Sequence, residues 1–476
     1  MKICMIAEGS YPYITGGVSS WIHQLITNMP EHDFLLLTLM PDKSKKGEFK
    51  YTLPANVVEI KELLLDELFN SPGKRNKAIH LGEAGQEELS KLLSFSDVNW
   101  DVLFDIFEKN RQRGLSGGDV QMSAVFYETA KKVYEEKYSH LGFTDFYWTL
   151  RSMYRTFFEL LLEEYPQADL YHAVSTGYAG LVASIASHRH GKAFVLTEHG
   201  IYTREREEEL IKAPWVKGDF KELWIDYFYQ MSDCAYKKAD KVISLFGRNK
   251  EIQVEIGCPE YKIQIIPNGI KIENFHEVVL EVEKRDGKEG INVCAIVRVV
   301  PSKDIITMID AFAVVNSKIK DVNFYILGPT DEDPDYFEEC KNYRDFLGLK
   351  NLVFTGQVDV KEYLKKTDIL VLTSISEGQP LVFLEGLASR LPLVSTNVGD
   401  YRSLVLGEYD EFGPAGLVSS VMDSVGIAQS IILLAQNKNL REQYGKVGYN
   451  RVSKYYRFED LMEKYRDIYR TFWLRS

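Results

Sequence analysis

Ile369–Gly399 reads ILVLTSISEGQPLVFLEGLASRLPLVSTNVG, and the order of its parts decides the fold. ILVLTS is a short apolar run ending in polar turn residues, the stretch from Pro380 onward is apolar enough for a buried helix, and LPLVST opens another apolar run. Strand, turn, helix and strand in that order make a βα unit of a parallel sheet. A helix that begins near Pro380 presents unpaired N–H groups in its first turn. The amides of Gln379 to Val382, Pro380 included and Gly378 beside them, are therefore expected to form an anion nest.

The same rhythm runs outward in both directions. KICMIA (2–7), DFLLLTLM (33–40), DLYHAV (169–174), AFVLTEH (193–199), KVISL (241–245) and KIQIIP (262–267) are strand candidates in the first half, and INVCAIV, VNFYIL and LVFTG join the two above in the second. Between about residues 63 and 166 the rhythm fails, and aromatic and charged residues recur at helical spacing, as in VFYETAKKVYEEKY (125–138). We read this as a helical insertion. EVVLEVEKRDGKEG (277–290) is polar and precedes a new apolar strand, so residues 1–276 and 277–454 are expected as two Rossmann-like α/β domains facing across a cleft. Residues 455–476 form an amphipathic helix, with Phe458, Leu461, Tyr465, Ile468, Tyr469 and Phe472 on one face, expected to pack back on the N-terminal domain.

Composition excludes several classes. The 476 residues exceed one ordinary core, and 45% hydrophobic with 26% charged residues is the balance of a globular chain. A net charge of −12 argues against nucleic acid as a partner, because phosphate backbones are held by a surplus of Lys and Arg. Five cysteines without metal-ligand spacing suit a reducing, cytoplasmic compartment. No run is long enough to span a bilayer, so no direct membrane insertion is expected.

Three further stretches carry chemistry. AEGSYPYITGGVSSW (7–21) places Gly16 and Gly17 at a helix start, where their backbone can approach an anion; a tight turn is the alternative reading. AIVRVVPSKDI (295–305) puts Arg298 and Lys303 just past a strand's carboxyl end, where open α/β sheets bind ligands and where a leaving diphosphate would need cations. Glu377 in the turn is placed to reach a sugar ring, and Glu385 in the helix to accept hydrogen bonds from ribose hydroxyls; a solvated helix face is the plainer reading of both. TDEDPD (330–335) has the look of a cation-binding loop, but Arg298 and Lys303 already supply the positive charge, so we read it as solvated loop and expect no metal and no cofactor.

In combination these motifs resemble glycosyltransferase family 4, of the GT-B fold: R-x4-K after the first strand of the second half, E-x7-E within SEGQPLVFLE, IPNGI (266–270) before the second domain, and the N-terminal TGGV. Val297 stands where that family usually has Gly, and Ser389–Arg390 where Ala–Gly is common. The resemblance implies a retaining, metal-independent transfer from a nucleotide diphosphate sugar, a UDP-sugar donor, to a growing glycan acceptor. It further implies His199 of TEHG at the reaction centre, Arg204 at the mouth of the same cleft together with Arg206, and Asn268 of IPNGI at the nucleotide. A membrane-embedded polysaccharide synthase complex is the implied partner, with the protein peripheral at the inner face of the membrane. A GT-B-fold UDP-sugar 2-epimerase and a catalytically silent scaffold subunit are the rival readings.

Overall fold

The first strand, β1 (Lys2–Glu8), buries five consecutive residues from Ile3 to Ala7, as a strand covered on both faces must. A computed structural model describes residues 1–70, 79–284 and 290–474 of the chain. In its first unit β1 is joined by β2 (Asp33–Met40), β3 (Val57–Leu64), β4 (Leu170–Ala173), β5 (Ala193–Glu198), β6 (Lys241–Ser244) and β7 (Ile263–Ile265). All pairs are parallel, in the order β3-β2-β1-β4-β5-β6-β7. The order reverses between β1 and β4, which sets the ligand crevice of such a sheet at their carboxyl ends.

The insertion is helical as expected, apart from residues 71–78, which lie outside the described residues. Its longest helix, Phe143–Leu162, buries Phe146, Leu150, Met153, Tyr154, Phe157, Phe158 and Leu161 at the spacing of one helix face. Phe158 stacks on Phe107 at 5.6 Å, and the Tyr154 hydroxyl donates to the Leu92 carbonyl at 2.6 Å. These contacts fasten neighbouring helices of the insertion to Phe143–Leu162.

The second unit repeats the plan with β8 (Ile291–Ile296), β9 (Val322–Leu327), β10 (Leu352–Gly356), β11 (Ile369–Leu372), β12 (Leu393–Thr396) and β13 (Gly416–Ser419), all parallel, ordered β10-β9-β8-β11-β12-β13. Its switch point lies between β8 and β11. Both Rossmann-like domains are therefore present.

Their limits differ from the expected ones. The first unit comprises Met1–Ser244, Asn249–Ile265 and Arg466–Ser476, and the second Leu245–Arg248 and Ile266–Tyr465, so the main division falls at Ile265/Ile266 rather than 276/277. The charged stretch read as a boundary is mostly a helix, His276–Lys284, whose Val278 is part of the second unit's core. The C-terminal helix, Phe458–Trp473, is divided: its residues to Tyr465 belong with the second unit and only those from Arg466 with the first. In the first unit the Tyr469 hydroxyl meets His172 Nδ1 at 2.6 Å, and Arg466 pairs with Glu31 at 2.8 Å. No helix among the described residues is long and apolar enough to cross a membrane.

Candidate functional site

In the second unit Arg298 and Lys303 follow β8, and Glu377 follows β11, so all three leave the sheet at its switch point. The two loops are tied together: the Ile375 amide donates to the Ser302 carbonyl at 2.9 Å, and the Thr373 hydroxyl donates to the carbonyls of Lys303 and Asp304, both at 3.0 Å. Lys303 is largely buried and forms an ion pair with Glu377, whose Oε1 also accepts from the Ser374 hydroxyl at 3.1 Å. Burial, and then the neighbouring Arg298, push the Lys303 ammonium down to about 8, while Glu332 works the other way. Contact with the Glu377 carboxylate also favours the charged form.

Arg298 is half exposed and pairs with Glu332 of the acidic TDEDPD loop. The next residue of that loop, Asp333, accepts from the Tyr336 amide at 3.1 Å and caps the helix Pro334–Phe346. Two of the loop's carboxylates are thus engaged with protein partners, and no group of three or more candidate ligands for a metal ion occurs among the described residues.

Helix Leu381–Ala388 begins with Pro380 at the N-cap, not inside the helix, and no side chain caps it. This corrects the expected nest. Pro380 has no N–H to offer, and Gln379 is turned inward: its Oε1 accepts from the Asn268 amide at 2.6 Å, and its Nε2 donates to Asp400 at 2.8 Å. Leu381 and Val382 remain as the free first-turn amides beside Gly378. Asn268, expected at the nucleotide, is 5% exposed, and its side-chain amide donates to the Gln379 carbonyl at 3.3 Å. It holds the turn. On the far side of the turn Gly399, at φ 55°, has no room for a β-carbon against the Gly378 carbonyl.

The Glu385 carboxylate, one helical turn further on, accepts no hydrogen bond among the described residues, and burial pushes it up to about 7 against the attraction of Lys361. A desolvated carboxylate left unpaired marks a site awaiting a ligand more often than a structural one. Arg390 occupies the family's usual glycine position at φ 58°, pairs with Glu283, and leaves the helix intact.

In the first unit Gly16 is the N-cap of helix Gly17–Thr27, and a β-carbon on either glycine would meet nothing within 4 Å. Packing does not require glycine at either position; the open space above the helix start is what both provide. His199 follows β5 with its ring edge-on to Trp21 at 4.7 Å, and its Nε2 is buried without a partner among the described residues. Burial pushes it down to about 4, so the imidazole is neutral near pH 7. Arg204 is half exposed and 3.8 Å from Glu255, whereas Arg206 lies over the Tyr202 ring at 5.2 Å.

Sequence reasoning missed Glu8. Its Oε2 accepts from the amides of Tyr178 at 2.9 Å and Ala179 at 3.4 Å, and its Oε1 accepts from the Tyr202 hydroxyl at 3.0 Å. The helix that starts at the first unit's switch point, Tyr178–His190, therefore already has a carboxylate at its positive end. The corresponding helix of the second unit, Leu381–Ala388, is open. That contrast singles out the second unit for a diphosphate.

Two family models match the chain: residues 281–451 match "Glycosyl transferases group 1", and residues 1–261 match "Domain of unknown function (DUF3492)". Fold and site thus define a glycosyltransferase of the GT-B architecture. The chain belongs to the DUF3492 family, and its second unit carries the match to the group 1 glycosyltransferases.

Among curated proteins it is 26% identical over 318 residues to the UDP-Gal:alpha-D-GlcNAc-diphosphoundecaprenol alpha-1,3-galactosyltransferase of Escherichia coli, covering 64% of this chain and 77% of that one. It is 26% identical over 213 residues to the capsular polysaccharide biosynthesis glycosyltransferase CapM of Staphylococcus aureus, covering 43% and 53%. HepE of Anabaena in complex with UDP superposes with a TM-score of 0.62 at 15% identity, over 99% of this chain and all of that one. HepE shares the fold.

If Lys303 is the cation that meets the donor, kcat/KM for the donor is expected to fall above about pH 8, because that parameter reports groups of the free enzyme. A pH–rate profile checks this. Lys303→Arg, which cannot deprotonate, should lose the alkaline limb, and a wild-type limb beginning only at about pH 10 would show that burial does not lower Lys303 in the free site.

Proposed function

We propose that the protein transfers a sugar, with retention of anomeric configuration, from a UDP-sugar to a growing glycan. The observation that carries the reading is Glu385: a desolvated carboxylate without a partner, one helical turn from an uncapped helix start and on the same βα unit as Glu377, which pairs with Lys303 of the neighbouring unit. The diphosphate lies against the Leu381 and Val382 amides with Arg298 and Lys303 on its oxygens, the ribose hydroxyls donate to Glu385, and Glu377 accepts from a hydroxyl of the sugar ring. His199, which the resemblance implies at the reaction centre, keeps a neutral ring whose buried Nε2 has no partner among the described residues.

The bond from the anomeric carbon to the phosphate oxygen breaks as the bond to the acceptor oxygen forms on the same face. The acceptor proton passes to the departing phosphate oxygen, and no protein nucleophile takes part. Catalysis then rests on orientation and on fixed charge where charge develops.

The biological setting we propose is exopolysaccharide assembly of the Pel type, in the cytoplasm and beside a membrane-embedded synthase partner. YPYITGGVSSW (11–21), TEHGIYTRERE (197–207) and LGPTDEDPDYFEEC (327–340) are similar to PelF of that system, and a capsular polysaccharide enzyme is among the relatives.

Turnover without a metal ion belongs to this reading, since Arg298 and Lys303 neutralise the leaving group. Activity is expected to survive exhaustive chelation; a large loss that Mn²⁺ restores would overturn it. The reading as a whole is tested by calorimetry with UDP, which should bind wild-type protein and bind Glu385→Ala much more weakly.

A further inference from the structure

Arg390 is a side chain that the proposed reaction does not use and that its own backbone disfavours. It follows helix Leu381–Ala388 at φ 58°, where glycine is the usual residue and a β-carbon is strained. Strain of this kind persists where surrounding contacts hold it, and it clusters at ligand sites. The guanidinium pairs with Glu283 and lies over the Tyr449 ring, 4.8 Å from its centroid, yet its Nε is buried with no hydrogen-bond partner among the described residues. The backbone below cannot shift freely, because helix Lys438–Tyr455 passes so close that a side chain at Gly445 would strike the Arg390 carbonyl.

Arg390 lines a cavity of about 300 Å³ together with Lys438, Arg441 and Lys446, and with the carboxylates of Glu283, Asp368 and Glu442. Thr367 and Asp368 lead into β11, and Leu391 and Pro392 into β12, so the cavity lies at the amino ends of these strands. Arg298, Lys303 and Glu377 leave the same parallel sheet at its carboxyl ends. The length of a strand separates the two places.

The lining is also chemically selective. Lys438 opens an 18-residue helix and pairs one turn on with Glu442 at 3.8 Å, so the cation at the positive end of the dipole is balanced from within the helix. An anion in the cavity gives the Arg390 Nε its missing acceptor. The carboxylates beside the cations suit hydroxyl donors, and the volume is that of a small-molecule pocket at the lower end of the usual range.

We propose that this cavity is a second ligand site, for a phosphorylated metabolite of monosaccharide size. The phosphate meets Arg390, Lys438, Arg441 and Lys446, and the hydroxyls donate to Asp368 and Glu442.

The test is calorimetric titration of the full chain with a hexose 1-phosphate in the presence of saturating UDP, which keeps the donor site closed. Saturable binding is expected for wild type, weakened at least tenfold in Arg390→Gly and in Lys446→Ala. Glycine suits φ 58°, so Arg390→Gly should melt no lower than wild type, and its loss of binding cannot be put down to unfolding. Absence of binding with UDP present, or equal affinity in Arg390→Gly, would overturn the proposal. Should UDP itself fail to bind, the donor reading falls, while the comparison of wild type with Arg390→Gly still decides this site.

Discussion

Arg298→Ala and Lys303→Ala are each expected to lower kcat by about 100- to 1,000-fold while changing donor affinity much less. Negative charge grows on the diphosphate as the glycosidic bond breaks, so a fixed cation stabilises the transition state more than the bound donor. The larger loss should fall on Lys303. Its ammonium is mostly buried, where charge interactions are weakly screened, whereas the Arg298 side chain is 51% exposed. Removing Lys303 also leaves Glu377 without its cation beside the sugar, which adds to the cost. Both cations serve one leaving group, so the double variant should fall short of the product of the two singles. Single-turnover rates at saturating donor measure this. A variant with a near wild-type rate and only a raised KM would make its residue a binding group.

Glu385 should give the opposite kinetic pattern. Hydrogen bonds to ribose persist from ground state to transition state, so Glu385→Gln is expected to weaken UDP by roughly 10- to 100-fold and leave kcat comparatively intact. A second effect has the reverse sign. The carboxyl sits near 7 in the folded chain against 4.5 ordinarily, so its ionisation destabilises the fold, and this loss develops as the pH rises from 4.5 through 7. Above pH 7 the neutral amide should therefore raise stability by roughly 2 to 3 kcal/mol in the absence of ligand. Thermal melts at pH 5 and pH 8 check the sign: the gain should appear at pH 8 and shrink at pH 5. Lower stability of Glu385→Gln at pH 8 would mean that the carboxylate has a structural partner.

The central strands were legible because burial on both faces writes them as unbroken apolar runs, as in KICMIA and ILVLTS. β3 and β13 were not; each is one of the two edge strands of its sheet, and the opposite edges, β7 and β10, were read as KIQIIP and LVFTG. VVEIKELL alternates apolar and charged residues, and GLVS is too short to register against its flanks. The domain limit was misplaced for a related reason: His276–Lys284 is an amphipathic helix with few buried positions, and its charge imitates a linker.

At the site, spacing placed Arg298, Lys303, Glu377 and Glu385 on the right βα units, because each lies a fixed number of residues past a readable strand. Spacing could not show that Glu377 holds Lys303, that Gln379 turns inward to Asp400, or that the Asn268 amides reach Gln379 while its Oδ1 stays without a partner among the described residues. Those depend on pairings between distant segments. Glu8 was passed over for the same reason: a single acid at a strand end acquires meaning only once the helix it caps, Tyr178–His190, is brought beside it from far along the chain.

Incubation of the pure protein with a panel of nucleotide sugars and a glycan acceptor tests the central claim most directly, with nucleotide release followed and the product linkage read by NMR. The account predicts UDP released from a UDP-sugar, the sugar recovered on the acceptor in the donor's anomeric configuration, and neither event in Lys303→Ala. An epimerised sugar nucleotide without transfer, or UDP bound by the wild-type protein with no turnover of any donor, would contradict it.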